Sequence, residues 1–394
     1  MARFQVGMKV YDNEWYLKHN LTYEEAAHCL RDWGVTFVLA QSKVLPMPDS
    51  AVKSEVPPEQ AERYASYDDR KFRDALARVG IEYYAAVCMF HDPQALEADP
   101  SLWPIGKDGR ARPKQDWYVG LIPSRQDHVA RKVTAIERAV RELHPDGVFL
   151  AFIRWPGFWE TWTPGHTWKD FPEYSYDEHS LKRFALEKDL KLPTLEPVEA
   201  AQWIERNARQ AWTDWKCGVI VDIVRQVRSA CSAIKRGTKI MLNTLPLRRQ
   251  DWNDAVEAVY GQRLEALSDV VDVFEVMAYH QILKQDKNWI AAVAEDAKKR
   301  TGRTVVCTLQ ARALYLDGMH AQERRAANIT LEEFSQNVDT LEASSADGIV
   351  VFTWSDFLEQ VIRGKDSRRI EAIRAAAARR AEMKGASGGQ TGGA

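Results

Sequence analysis

Residues 146–160 have the sequence DGVFLAFIRWPGFWE, an apolar run that begins at Asp-Gly and ends at Pro-Gly. A run of this length between turn residues predicts a strand buried on both faces, as in a parallel sheet. Arg154, Trp155, Trp159 and Glu160 follow at its carboxyl end. Indoles stack on sugar rings, guanidinium groups donate to hydroxyls, and carboxylates perform acid–base or nucleophilic chemistry. The stretch therefore indicates a carbohydrate site at a strand end; the alternative is a core strand followed by a well-packed aromatic loop.

The chain contains short apolar runs that alternate with amphipathic helical segments. The runs cover residues 5–11, 35–41, 82–90, 147–153, 239–245, 271–279, 304–310 and 348–354. The amphipathic segments, in which apolar residues recur at helical spacing, are residues 22–33, 68–79, 124–143, 196–235, 289–300 and 330–344. Strands and helices in this alternation predict an α/β fold, a single (β/α)8 TIM barrel. The alternative, a doubly wound open sheet, would need a glycine-rich phosphate turn, and none follows the first run.

Two connections are longer than a minimal barrel needs. Residues 92–123 and 156–195 are rich in proline and aromatic residues. They would form enlarged loops after strands 3 and 4, at the carboxyl face where barrel enzymes build their sites. We expect the barrel to cover residues 1–366, a basic C-terminal helix residues 367–384, and a flexible tail residues 385–394.

The composition excludes several classes of partner. The 54 basic and 56 acidic residues leave a formal charge of −2, which does not suggest nucleic acid or an anionic membrane surface. The N-terminus lacks the pattern of a signal peptide, so we expect a cytoplasmic protein unless a signal has been removed. The five cysteines are scattered and predict no disulfide framework. Fourteen tryptophans, several in loops, favour a ligand surface. A homo-oligomer is compatible with these features.

Polar and aromatic side chains gather at the predicted strand ends. The candidates for substrate binding are Lys9, Asp12, His91, Arg154, Trp155, Trp159, Tyr279, His280, Gln310 and Trp354. Glu275 shares a face of the sixth strand with Met277 and Tyr279. Among apolar neighbours it needs a partner or a raised pKa, so it is either a general acid or a structural ion pair with Lys9 or Arg154. No spacing typical of a metal site, a nucleophile elbow or a P-loop occurs, and no cofactor is expected.

Three segments carry a resemblance to a known group of proteins. They are residues 117–123 (WYVGLIP), residues 146–157 (DGVFLAFIRWPG) and residues 276–280 (VMAYH). Together they resemble glycoside hydrolases with chitinase-like or α-galactosidase-like barrels, over most of residues 5–360. In such families the fourth strand carries a second Asp that points into the barrel and serves as a catalytic carboxylate. This chain has Ala151 at that position.

The resemblance implies hydrolysis of a glycosidic bond in an oligosaccharide or glycoside by two carboxylates. Position 151 would supply the first, Glu275 the acid/base, and Glu160, Asp12 and Asp356 are further candidates. With Ala151, the chain is a natural non-catalytic barrel, an enzyme in which another residue has taken over, or an engineered inactive variant; the intact motif around Ala151 favours the last. The rival functions are a non-catalytic carbohydrate-binding barrel and a sugar isomerase or lyase with a divalent metal at Glu275 and His280.

Overall fold

Eight parallel strands close into a barrel in the computed structural model, which describes residues 4–48, 58–112, 117–166, 173–317 and 324–388. Each strand pairs with its neighbours along the chain, and the last pairs with the first. The strands are β1 Gln5–Val10, β2 Phe37–Ala40, β3 Glu82–Cys88, β4 Gly147–Ala151, β5 Lys239–Thr244, β6 Val273–Val276, β7 Thr304–Gln310 and β8 Gly348–Phe352. The predicted TIM barrel is confirmed, and every strand lies within its predicted apolar run.

Large and small side chains fit together inside the barrel, where aromatic rings lie beside glycines. The rings of Phe37 and Tyr84 belong to the interior cluster together with Phe149. Each ring occupies space that a glycine leaves open: a Cβ added at Gly7 would lie 2.3 Å from Phe37, and one added at Gly147 would lie 2.3 Å from Tyr84. The glycines of β1 and β4 are therefore needed to seat aromatic rings at the barrel axis.

Helices cover the outside of the barrel. They are α1 Glu14–Leu17, α2 Tyr23–Asp32, α3 Pro58–Ser66, α4 Asp69–Arg78, α5 Pro93–Ala98, α6 Gln126–Leu143, α7 Glu178–Glu187, α8 Pro197–Asn207, α9 Arg209–Ile234, α10 Ala255–Ala258, α11 Leu264–Leu267, α12 Lys287–Thr301, α13 Leu331–Ala343, α14 Trp354–Leu358 and α15 Arg368–Gly388. Capping boxes begin α2 at Thr22 and α13 at Thr330. Among the described residues, no helix is long and apolar enough to cross a membrane.

The basic C-terminal helix, α15, packs along α13 and reaches β1. Its apolar side is buried through Ile370, Ile373 and Ala376. Arg380 extends beneath the barrel and donates to the carbonyl oxygens of Ser344 and Ala346 at 2.8 and 3.0 Å. This helix therefore forms part of the shell of the barrel. It continues to Gly388, beyond the start of the predicted tail, and residues 389–394 lie outside the described residues.

Candidate functional site

A cleft of about 640 Å³ opens at the carboxyl end of the barrel. Its lining follows the ends of β7 and β8 and of β1 to β4, the part of the mouth that the described loops leave open. The lining residues are Tyr11, Asp12, Glu14, Lys18, Met47, Pro48, Cys88, His91, Trp117, Phe152, Arg312, Leu314, Tyr315, Phe352, Thr353, Ser355, Asp356 and Glu359. Of the predicted site residues, Asp12, His91 and Asp356 are brought together here.

Asp12, two residues after β1, is held from across the β1–β8 seam. The hydroxyl of Ser355 lies 2.6 Å from both carboxylate oxygens of Asp12. The backbone N–H of Glu14 donates to Oδ1 at 2.9 Å. Burial raises the pKa of Asp12 above its usual value, the nearby charges of Glu14 and Asp356 add to this, and the Ser355 and Glu14 hydrogen bonds oppose it. Asp12 is therefore a carboxyl that can keep a proton at a higher pH than an ordinary aspartate.

Asp356, in the first turn of α14, has a different environment. Arg312 donates through Nε to Oδ1 of Asp356 at 2.5 Å. Thr353 donates to Oδ2 through its hydroxyl at 2.9 Å and through its backbone N–H at 3.3 Å. A guanidinium on one oxygen and two neutral donors on the other are the environment of an ionised carboxylate. The cleft thus holds two acidic side chains with opposite surroundings on neighbouring strand ends.

An aromatic wall forms the side of the cleft that follows β3 and β4. The rings of His91 and Phe152 are 5.0 Å apart, and those of His91 and Trp117 are 5.2 Å apart. Tyr118 stacks behind Phe152 at 5.7 Å, and Nδ1 of His91 is held by the carbonyl oxygen of Val119 at 3.0 Å. Edges and faces of such rings can pack against the apolar face of a sugar.

Ala151 is the last residue of β4, and its side chain belongs to the interior cluster of the barrel. It is paired in register with Cys88, and the same cluster contains Met47. Cys88 and Met47 both line the cleft. Position 151 therefore faces the barrel interior beside residues of the cleft floor, as the resemblance implies for the missing aspartate.

Glu275 faces the barrel interior and is fully buried. Its carboxylate pairs with Nζ of Lys9 at 3.1 Å and accepts hydrogen bonds from Asn243 and Thr308. Lys9 also donates to the hydroxyl of Tyr279 at 3.4 Å. None of these residues lines the cleft. These groups satisfy one another below the cleft floor, so the structure favours the alternative for Glu275, an ion pair with Lys9. The acid–base role of Glu275 and the sugar contacts of Lys9 and Tyr279 stay predictions that the cleft lining does not support.

Arg154 and Glu160 lie behind the aromatic wall and are 2% and 5% exposed. The Arg154 guanidinium packs 5.0 Å from the centre of the Phe152 ring. Burial raises the pKa of Glu160 to about 7, although Arg154, Arg112 and Arg325 act in the opposite direction. Both residues were expected at the substrate, and neither lines the cleft.

The three tryptophans that were predicted to stack on sugars are buried, and none of them lines the described cleft. Trp155 donates through Nε1 to the carbonyl oxygen of Lys216 at 3.1 Å. Trp159 stacks on Tyr279 at 6.0 Å, and Trp354 packs against Trp15 at 5.6 Å. Trp155 and Trp159 therefore agree with the alternative interpretation of the sequence, a well-packed aromatic loop. Trp354 packs the end of β8.

His280 and Gln310 are not among the residues that line the cleft. Nε2 of His280 lies 2.7 Å from a carboxylate oxygen of Glu333, on α13. Gln310 donates to the carbonyl oxygen of Arg312 at 3.3 Å and so supports the strand end that carries Arg312. Within the described ranges, no group of three His, Cys, Asp or Glu side chains could hold a metal ion. Glu275 and His280 thus have separate partners.

Sequence reasoning missed Phe152, Tyr315, Thr353 and Ser355 as lining residues. The signal for the last two was present, because Thr353-x-x-Asp356 is a capping-box spacing directly after the eighth apolar run. The structure forms this box at the start of α14. A capping box at the end of a barrel strand therefore marks a segment whose polar side chains are fixed at the carboxyl face.

Comparison with known proteins supports the barrel but no narrower family. No family model matches the chain, and no curated protein matches it. Among solved structures, the glycoside hydrolase domain of PgaB (BpsB) from Bordetella bronchiseptica is similar, with a TM-score of 0.63 and 16% identity. The match covers 93% of this chain and 98% of that domain. Since the identity is low, the likeness establishes a shared fold.

Two larger glycosidases are similar over about half of their length. A β-galactosidase from Halorubrum lacusprofundi has a TM-score of 0.60 and 11% identity, with 96% of this chain and 58% of that chain covered. An α-L-fucosidase from Paenibacillus thiaminolyticus has a TM-score of 0.56 and 13% identity, with 96% and 49% covered. The fold is therefore a closed (β/α)8 barrel of the kind found in glycoside hydrolases, and the structural neighbours agree with the resemblance seen in the sequence.

Proposed function

We propose that the protein hydrolyses glycosidic bonds in an oligosaccharide or glycoside, and that the cleft at the carboxyl end of the barrel is its active site. The observation that carries this proposal is the pair Asp12 and Asp356. One carboxyl is biased by burial toward its protonated form, the other is ion-paired with Arg312, and the two follow neighbouring strands of the barrel. Glycoside hydrolysis needs this division between a proton donor and an ionised carboxylate.

The roles follow from the two environments. Asp12 would donate its proton to the leaving glycosidic oxygen as the bond to the anomeric carbon breaks. Asp356 would stabilise the positive charge that develops on the sugar, acting on the anomeric carbon directly or through a water molecule that it deprotonates. The rings of Trp117 and Phe152 would hold the sugar against the wall of the cleft. This assignment moves the acid role from Glu275 to Asp12.

Hydrolysis of a panel of aryl glycosides and oligosaccharides tests the proposal. We expect Asp12→Asn and Asp356→Asn each to lower kcat by about 10²-fold or more, because each removes a group used in the transition state. Asp189→Asn is a matched control, since Asp189 is exposed at the end of α7 and Asn tolerates its left-handed backbone, with φ of 50°. Equal activity of all four proteins on every cleaved substrate would contradict the proposed site.

A second function, carbohydrate binding without catalysis, is favoured by one observation, the alanine at position 151. If an aspartate there is indispensable, the native chain would bind a sugar and show no turnover, and Ala151→Asp would introduce turnover. If Asp12 and Asp356 suffice, the native chain would be active and Ala151→Asp would not be required. Sugar binding without turnover by both proteins would support the binding barrel.

A further inference from the structure

Ser355 joins two parts of the chain that meet only when the barrel closes. It lies in the first turn of α14, just after β8, whereas Asp12 follows β1. Its hydroxyl oxygen is 2.6 Å from Oδ1 and 2.6 Å from Oδ2 of Asp12. A serine hydroxyl has one proton to donate and lone pairs that accept. It can therefore donate to the Asp12 carboxylate and accept from the Asp12 carboxylic acid without moving away.

We propose that Ser355 is a positioning residue that holds the Asp12 carboxyl for proton donation in the cleft. This inference rests on the proposed glycosidase function and deepens it. The backbone N–H of Glu14 fixes only one oxygen of Asp12, at 2.9 Å. Without the Ser355 hydroxyl, the second oxygen would have no partner from the β8 side of the cleft, and the carboxyl plane could rotate about its last side-chain bond.

The charged side chains around Asp12 have other partners and do not take the place of the Ser355 hydroxyl as a donor to Asp12. Glu14 of α1 is paired at 3.4 Å with Lys18, which directly follows this helix, and Lys18 also lies 3.7 Å from Glu359. Arg312, after β7, is paired with Asp356. Lys18 and Arg312, the cations in the part of the cleft lining that the structure describes, are therefore engaged with other carboxylates. The Ser355 hydrogen bond is the side-chain interaction that favours the ionised form of Asp12 most directly.

The test compares Ser355→Ala with Ser355→Thr, which keeps a hydroxyl. Titration of Asp12 is followed in the whole protein by ¹³C NMR of its carboxyl carbon, assigned with Asp12→Asn. We expect Ser355→Ala to raise the Asp12 midpoint by about one pH unit, the effect of losing one hydrogen bond to a charged group, and Ser355→Thr to stay near the native value. Since the protonated form is the active one, the basic limb of the kcat/KM profile should move upward with the midpoint.

The two readouts separate the possible failures. An unchanged Asp12 midpoint in a folded Ser355→Ala protein would overturn the positioning role, and hydrolysis by the native chain would then leave the glycosidase function standing. A shifted midpoint with no hydrolysis by any form would overturn the glycosidase function and the role of Ser355 with it. A Ser355→Thr protein that behaves like Ser355→Ala would also overturn the proposal, because the hydroxyl would then be irrelevant.

Discussion

Asp12 and Glu275 show how the neighbours of a buried acidic side chain determine what it can do. Glu275 has a lysine and two neutral donors within the barrel, so its charge is compensated where water does not reach. Asp12 lines an open cleft with a hydroxyl and one backbone N–H as donors, and two other carboxylates act on it. The first arrangement stabilises a fixed charge, whereas the second suits proton transfer.

Glu275→Gln should destabilise the protein. It leaves Lys9 buried without a counter-charge, and breaking a buried pair in this way costs about 3–5 kcal/mol. Urea unfolding at neutral pH measures the change, and Lys9→Met combined with Glu275→Gln should recover part of it. Native stability together with lost hydrolysis in Glu275→Gln would instead restore the acid role to Glu275.

Glu160 should make stability depend on pH. The pKa of Glu160 is raised by burial to about 7 from an ordinary value of 4.5. Between these values the folded state binds more protons than the unfolded state, so this group lowers stability as pH rises. Glu160→Gln should therefore match the native protein near pH 4.5 and become more stable by up to about 3 kcal/mol above pH 7. Unfolding free energies at pH 5 and pH 8 check this; a difference independent of pH would contradict it.

The sequence identified which residues surround the fourth strand end but not the side on which each one lies. Alternation from Phe149 and Ala151 predicts that Ile153 faces the interior and that Phe152 and Arg154 face the opposite side. Phe152 has φ of 53°, and the N–H of Arg154 bonds to the carbonyl oxygen of Phe152 at 3.0 Å. This turn sends the Phe152 ring into the cleft and Arg154 behind it. A left-handed conformation at a phenylalanine has no sequence signal, so the reversal could not be predicted.

At the level of elements, prediction succeeded where periodicity is strong. All eight strands were predicted, because apolar runs are local properties of the sequence. The single segment predicted over residues 196–235 is two helices, α8 and α9, with a break at Ala208. No glycine or proline marks this break, so the spacing of apolar residues predicted one continuous helix.

The packing of α15 on the barrel can be tested by substituting a buried and an exposed alanine of this helix. Ala376 is fully buried against the shell, whereas Ala375 is exposed. Ala376→Glu should lower the free energy of unfolding by about 3 kcal/mol, because it buries a charge without a partner, and Ala375→Glu should change it by less than about 0.5 kcal/mol. Chemical denaturation of the two variants measures the contrast. Equal effects would mean that α15 does not pack on the barrel.

At the scale of the whole molecule, the barrel fold is shared with other proteins, whereas the site is particular to this chain. The fold is shared with the PgaB domain and with larger β-galactosidase and α-L-fucosidase chains at 16% identity or less. A barrel of this type presents its loops at one face whatever reaction it supports. The proposed chemistry of this chain therefore depends on the cleft that Asp12, Asp356 and the aromatic wall line together.

The most direct measurement is a crystal structure of the Asp12→Asn protein with the oligosaccharide or glycoside that the native chain cleaves or binds best. We predict a sugar ring packed on Trp117 or Phe152, with the glycosidic oxygen within hydrogen-bond distance of residue 12 and the anomeric carbon facing Asp356. A sugar bound among Arg154, Trp159 and Glu160, or outside the cleft altogether, would contradict it.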